Sequence, residues 1–285
     1  MLSCRQQGNI VWIMFDAVHR EWFSLALVLC IMHMLSGCGT MANGRGWGQD
    51  ATLFPGWTRV GKAALHAALE PGTWAPAAGA GLFQIGSMDR NLSHWASNHT
   101  PIFGSQTNAG TASDVLNGVS EGTAVITALA TPSGEQSGDW VLNKAKGLSV
   151  DIAAVALTSG VTSGLKSAVN RPRPNGLGQG FPSGHASNTS ACNTLSARNV
   201  DCLSIPDEAR LGLKIGFAAL TVSTAWARVE AKQHYPSDVL AGMALGHFLG
   251  AFINDAFLGT EPHKSFFFSV EPSQKDIYCS VHLIF

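Results

Sequence analysis

The charge-free apolar runs constrain the fold of this chain most, because they are long enough for helices and too short for membrane spans. Residues 152–165, 215–227 and 239–254 contain no Asp, Glu, Lys or Arg and comprise 14, 13 and 16 residues. A membrane span needs about 20 consecutive apolar residues. The runs therefore predict an all-α fold, a helical bundle that packs outside the bilayer, with a partly embedded face as the alternative.

Helical patterns recur along the second half of the chain, and we predict helices near residues 119–130, 138–169, 184–198, 207–230 and 237–257. Residues 60–84 contain Ala-rich helical patches interrupted by two prolines. The Asn-, Ser- and Gly-rich segment 91–118 is predicted to be a long loop with one short turn of helix. Gly242, Gly246 and Gly250 form one stripe, which lets another helix approach closely.

The pattern divides the chain into a signal segment (1–37), a tether (38–58), a helical domain (59–258) and a C-terminal tail (259–285). In the tail, residues 266–270 and 277–285 have strand-like sequences around a Glu-Pro-Ser turn. This arrangement predicts a small hairpin.

The charge balance argues against nucleic acid as a partner. The formal net charge is -1, and charged residues make up 13% of the chain. Proteins that bind long phosphate backbones present clustered Lys and Arg side chains, and no such cluster is evident.

The N-terminal segment has the layout of a secretory signal. Arg20 precedes an apolar stretch over 22–35, and small polar residues follow it. Leu35-Ser36-Gly37-Cys38 resembles the lipobox of bacterial lipoproteins, which implies lipid on Cys38 and an anchored protein that faces the periplasm. Gly39, where an Asp would favour the inner membrane, favours the outer one. The alternative is an uncleaved signal anchor with an incidental cysteine.

Export would also expose the remaining cysteines to an oxidising compartment. Cys192 and Cys202 flank the polar segment 193–201, which is predicted to be a loop. A disulfide between them would close this loop. Cys279 then has no obvious partner. Alternatively, all three are small buried side chains, as free cysteines often are.

A first cluster of candidate site residues begins at Lys166, which closes a predicted helix. Arg173 follows within Arg171-Pro172-Arg173-Pro174, where the prolines end the helix and stiffen the chain. The sequence thereby predicts that these basic side chains lie close together. Alone, a basic helix end followed by Pro is also ordinary capping of the helix dipole.

A second cluster is Phe181-Pro182-Ser183-Gly184-His185, followed by a helix-compatible run. Ser183 suits an N-cap, and Gly184 allows a ligand to approach the backbone. The free N–H groups of the first turn attract an anion beside His185. Alone, these residues also fit a helix cap with an exposed His.

The third cluster contains Arg228, His234 and Asp238. Pro236 suits the first turn of a helix, so His234 lies just before that helix and Asp238 one turn inside it. A carboxylate there can hold the imidazole by Nδ1 and leave Nε2 free to attack. Alone, the pattern is also that of a helix-start cap.

Together the clusters resemble the type 2 phosphatidic acid phosphatase superfamily, which includes class A acid phosphatases and vanadium haloperoxidases. Its signature is Lys, six residues, Arg-Pro; then Pro-Ser-Gly-His; then Ser-Arg, five residues, His, three residues, Asp. Residues 166–238 contain this signature, with Ala227 where the family usually has Ser. The resemblance says little about residues 39–118.

The resemblance implies the helical bundle of that superfamily and a phosphatase that needs neither a metal nor another cofactor. His234 would attack phosphorus to form a phosphohistidine, and His185 would act as general acid and then as base. Asp238 would orient His234. The implied phosphate-binding residues are Lys166, Arg173, Ser183, Gly184 and Arg228.

Two other functions are compatible with these residues. A vanadium-dependent haloperoxidase would hold vanadate in the same pocket, although no segment devoted to halide chemistry is evident. A noncatalytic envelope lipoprotein could keep the bundle as a scaffold. The substrate also stays open: lipid anchoring favours phosphatidic acid or an isoprenyl diphosphate, whereas a bundle without spans suits soluble phosphomonoesters.

Overall fold

The computed structural model describes residues 39–259 and the backbone of two strands at 266–272 and 277–283. The signal segment and Cys38 lie outside the described residues. The lipid anchor and the domain boundaries therefore stay predictions.

The described body is all-α, as predicted. Its helices are α1 (Trp57–Leu69), α2 (Pro71–Phe83), α3 (Met88–His99), α4 (Gln106–Ala130), α5 (Ser137–Val169), α6 (Gly184–Asp201), α7 (Asp207–Glu230) and α8 (Pro236–Ile253). A π-helical turn, Asn254–Leu258, continues α8. The strands β1 (Phe266–Pro272) and β2 (Ile277–Leu283) form an antiparallel hairpin where the sequence predicted one.

Segment 91–118 is not the predicted loop. It contains most of α3 and the first half of α4. Ser105 caps α4 by accepting a hydrogen bond from the Asn108 backbone N–H. Three small polar side chains of the segment, those of Ser93, Ser97 and Ser113, are buried. Two of these hydroxyls donate to carbonyls of their own helices: Ser113 to Gly110 at 2.7 Å and Ser97 to His94 at 3.3 Å. The polar composition of the segment therefore led to a loop prediction where α3 and the first half of α4 lie.

Helices α6 and α8 form the centre of the bundle, with α2 against α8 and with α4 and α7 against α6. A Cβ added at Gly246 would lie 2.0 Å from the Ser187 carbonyl oxygen, and one at Gly242 would lie 2.6 Å from that of Ser183. The glycine stripe on α8 thus serves close helix packing, as the sequence predicted.

The predicted Cys192–Cys202 disulfide is wrong. Helix α6 runs past the predicted end at 198 to Asp201, so Cys192 lies inside it and Cys202 at its C-cap. Both are free cysteines. Ten helical residues separate their Cα atoms by about 15 Å, whereas a disulfide requires less than about 7 Å.

Within residues 39–259, two helices are long and apolar enough to cross a membrane by length and composition: α5, and α8 with its π-helical turn. Most of the apolar window of α8 is buried inside the bundle, which is typical of a core helix. Helix α5 instead leaves side chains such as Ile152 and Leu157 exposed. These helices are weak evidence for membrane association.

Candidate active site

The three sequence clusters meet at one end of the α6 and α8 pair. Lys166 lies in the last turn of α5, and Arg228 lies in the last turn of α7. The Ser183 backbone N–H donates to the Asp238 carbonyl at 2.9 Å, which ties the start of α6 to the start of α8. Residues that are up to 72 positions apart in the sequence are thereby brought together.

The start of α6 has the predicted cap. The Ser183 hydroxyl accepts a hydrogen bond from the Ala186 N–H at 3.4 Å. Gly184 leaves the backbone uncovered next to Lys166, because a Cβ there would lie 3.7 Å from the Lys166 Cε. The lysine therefore lies beside the free N–H groups of the first helical turn, where an anion is favoured.

His234 is held by a backbone carbonyl rather than by the predicted carboxylate. Its side chain is 2% exposed, and its Nδ1 is 2.7 Å from the Gly180 carbonyl oxygen. The nearest Asp238 oxygen is 3.9 Å from the same nitrogen. Because a carbonyl can only accept, Nδ1 carries the proton and Nε2 carries the lone pair. This is the tautomer that a nucleophilic Nε2 requires.

Asp238 is fully buried and has other partners. It accepts a hydrogen bond from the Tyr235 backbone N–H at 2.9 Å and one from the Arg171 guanidinium at 2.7 Å. Arg171 also donates to Asp89 at 2.6 Å, so its charge is engaged with two carboxylates. The carboxylate of Asp238 thus fixes the loop that carries His234, and it acts on the imidazole through space.

The three predicted phosphate-binding cations have only part of their hydrogen bonds satisfied. Lys166 donates to the Gln179 carbonyl at 2.9 Å, and Arg173 donates to the Gln233 side chain at 3.1 Å. The Nε atoms of Arg173 and Arg228 are buried and make no hydrogen bond within the described residues. Buried donors without acceptors are costly, and an anion would supply the acceptors.

The cations are close enough to perturb one another. Burial, together with the positive charges of Arg173 and Arg228, lowers the pKa of Lys166 to about 8. Burial and the charge of Arg173 also lower the pKa of Arg228. A site that holds three cations against their mutual repulsion is suited to a phosphate dianion.

The same charges act on the two histidines. Burial lowers the pKa of His234 to about 4, with Arg228 and Lys166 adding to the effect. Burial and Arg228 lower the pKa of His185, although Asp114 opposes them. Burial therefore favours the neutral form of both imidazoles. Neutralisation of the cations by a bound anion would raise both pKa values.

Sequence reasoning missed Asp114, whose carboxylate lies 2.8 Å from the Nε2 of His185. It lies on α4, in the segment interpreted as a loop, so no local signal marked it. Gly180 was missed as well, although the Gly-Gln-Gly stretch before the second cluster was visible. A Cβ at Gly180 would lie 3.0 Å from the Arg171 carbonyl oxygen, and the chain passes close there to reach His234.

Comparison with known proteins agrees with this geometry. Residues 175–258 match the family model of the PAP2 superfamily. The match covers the second and third clusters and begins just after Arg173. No curated protein and no solved structure matches the chain.

Proposed function

We propose that this chain hydrolyses phosphate monoesters or diphosphates through a phosphohistidine on His234, a proposal that the match of residues 175–258 to the PAP2 superfamily supports. One observation carries the proposal. A buried imidazole, with its Nδ1 proton fixed on Gly180, lies within electrostatic range of Lys166 and Arg228. That arrangement combines an oriented nucleophile with a dianion site.

Binding comes first. Lys166, Arg173 and Arg228 neutralise the nonbridging oxygens of the phosphate, and the unpartnered Nε–H groups of the two arginines gain acceptors. The N–H groups at the start of α6, beside Ser183 and Gly184, add neutral donors. No metal is needed for this step in the proposal, since three side-chain cations supply the charge.

Two displacements then follow. The lone pair on His234 Nε2 attacks phosphorus while the bond to the leaving oxygen breaks, and His185 gives that oxygen its proton. Water then attacks the phosphohistidine, His185 takes a proton from it, and the bond from phosphorus to Nε2 breaks. Inorganic phosphate leaves, and both imidazoles return to their starting states. Asp114 helps His185 to hold its proton during the first displacement.

A cavity next to this site favours a substrate with an apolar tail. Its volume is about 540 Å³, and it lies between α2 and α8 with mostly apolar walls. Phe181 and Ser237 line it, and each of them is adjacent in sequence to a motif residue. We therefore favour lipid phosphates over soluble phosphomonoesters as substrates.

The proposed location is the bacterial envelope, with lipid on Cys38 and the body facing the periplasm at the outer membrane. The signal layout of residues 20–38 supports it. Metabolic labelling with an alkyne fatty acid tests the anchor: label that persists in Cys38→Ser would contradict it.

Phosphate release by the purified chain in detergent, without added metal, tests the reaction. Aryl phosphate, micellar phosphatidic acid and isoprenyl diphosphate are compared in wild type, His234→Ala and His94→Ala. His94 is an exposed histidine of α3, so its variant serves as the matched control. We expect release to be lost only in His234→Ala, and we expect the lipid phosphates to have the highest kcat/KM. Release that persists in His234→Ala would overturn the proposal.

Trapping of the intermediate gives a second readout. An activated aryl phosphate needs no general acid, so His185→Ala should still transfer phosphate to His234 but should hydrolyse the product ~10²–10⁴-fold more slowly. Acid-labile, alkali-stable label should therefore accumulate on the protein. Its absence from the double variant His185→Ala/His234→Ala is the required control.

A further inference from the structure

A second cluster of ionisable side chains lies at the other end of the bundle core. It consists of His66 and Glu70 at the end of α1, His247 on α8, Asp255 in the π-helical turn and Arg198 on α6. Along α6, thirteen residues separate His185 from Arg198, which corresponds to about 20 Å. The proposed phosphatase reaction uses none of these residues.

The donor atoms already have the spacing of metal ligands. The Nδ1 of His66 is 2.9 Å from a Glu70 oxygen and 3.4 Å from an Asp255 oxygen, and the Nε2 of His247 is 3.4 Å from the other Glu70 oxygen. Tetrahedral coordination with bonds of 2.0–2.2 Å places neighbouring donors about 3.4 Å apart. The ligand atoms of His66, Glu70 and Asp255 all lie within 4.8 Å of one another, so a small cation between these three residues would require little rearrangement.

Asp255 offers a metal-ligand atom that no hydrogen bond uses. The residue is 8% exposed, and its Oδ1 is buried without a hydrogen bond in the described part of the chain. Leaving a carboxylate oxygen in that state is costly. The helical turn that carries it is π-helical, and such turns frequently occur at functional sites.

A second contact orients one of the imidazoles. The Nδ1 of His247 is 2.9 Å from the Thr73 hydroxyl. When Nδ1 donates its proton to Thr73, the lone pair on Nε2 points at the Glu70 carboxylate. The imidazole nitrogen and the carboxylate oxygen are then both acceptors, with no proton between them. Metal-ligating histidines are held by such outer contacts.

The cluster also has room for one more positive charge. Two carboxylates are accompanied by one guanidinium, that of Arg198. A divalent ion at this position would compensate the carboxylate charge that Arg198 leaves unbalanced.

We propose that this cluster binds one divalent cation of the zinc type through His66, Glu70 and Asp255, with His247 as the fourth ligand. Imidazole and carboxylate donors in a four-ligand set favour Zn²⁺ over Mg²⁺ or Ca²⁺, which prefer six or more oxygen ligands. The ion would connect α1, α8 and the π-helical turn. It stabilises the fold, and it takes no part in phosphate transfer.

Titration with ZnCl₂ alone tests the site in the metal-stripped full chain without a polyhistidine tag. We expect one ion per chain by calorimetry and elemental analysis, and a Tm that rises with zinc concentration. His66→Ala should weaken binding more than tenfold and should remove the Tm shift. The His66 side chain is 42% exposed, so its replacement should not prevent folding. The matched control is His99→Ala, which replaces an exposed histidine of α3 and should bind zinc as wild type does.

Two results would overturn the site. The first is the lack of stoichiometric uptake by wild type. The second is equal affinity in wild type and His66→Ala, which would assign the uptake to other residues, such as the free cysteines. Neither result bears on phosphatase activity, since activity is measured without metal.

Discussion

Asp114→Asn should move the alkaline limb of the pH profile to lower pH. The carboxylate lies 2.8 Å from the Nε2 of His185 and favours the imidazolium, whereas burial and Arg228 favour the neutral ring. In the proposed reaction His185 works when protonated, so kcat/KM falls as the pH rises through its pKa. That pKa lies below its ordinary value of 6.5. Removal of the carboxylate lowers it further.

The acid limb has a different origin and should not move. His234 reacts when neutral, so kcat/KM rises as the pH rises through its pKa of about 4. The wild-type profile should therefore be a bell with its optimum on the acid side, between about pH 4 and the pKa of His185. A flat profile across this range would contradict the assignment of the two histidines.

The size of the shift follows from the exposure of the pair. The Asp114 side chain is 67% exposed, so solvent screens its interaction with His185. Exposed ion pairs contribute about 0.2–1 kcal/mol, and one pKa unit corresponds to about 1.4 kcal/mol. The alkaline limb should therefore move by about 0.1–0.7 pH units. Any weakening of the Arg228 pairing with Asp114, at 4.0 Å, acts in the same direction.

The assay is kcat/KM against pH for an alkyl phosphate, whose poor leaving group needs the general acid. Asp139→Asn provides the control, because it removes an exposed carboxylate near the start of α5. An alkaline limb that stays in place or moves to higher pH in Asp114→Asn would refute the reasoning. Parallel movement of both limbs would point instead to a general loss of negative charge.

Two further predictions concern the fold. Gly246→Ala should destabilise the protein by about 1–3 kcal/mol, because its Cβ would lie 2.0 Å from a backbone carbonyl oxygen of α6. Gly216→Ala, at a helical position with open space around it, should instead stabilise it by up to about 1 kcal/mol. Denaturant unfolding measures the free energy of unfolding of both variants. Equal changes in the two would contradict the close approach of α8 to α6 at Gly246. Peptide mapping without reduction should find no link between Cys192 and Cys202, and a linked peptide would show that α6 ends earlier.

The sequence by itself determined the parts of this protein that depend on local patterns. Charge-free apolar runs of helical length located α5, α7 and α8 to within a few residues. The order and spacing of the three motifs predicted that Lys166, His185 and His234 share one site, because residue type and spacing together are specific to one superfamily. The glycine stripe predicted close packing from backbone geometry alone.

Tertiary structure decided the features that depend on partners far away in the sequence. Segment 91–118 was interpreted as a loop because its residues are polar, yet it forms most of α3 and half of α4, with Ser93, Ser97 and Ser113 buried. Asp114 contacts His185 from this segment. Asp238 was assigned to the imidazole of His234, but its carboxylate accepts a hydrogen bond from the half-buried Arg171, and the Gly180 carbonyl holds the imidazole instead. Local spacing shows which groups are near in the chain. Competition among buried donors and acceptors decides which of them pair, and only the packed fold brings those competitors together.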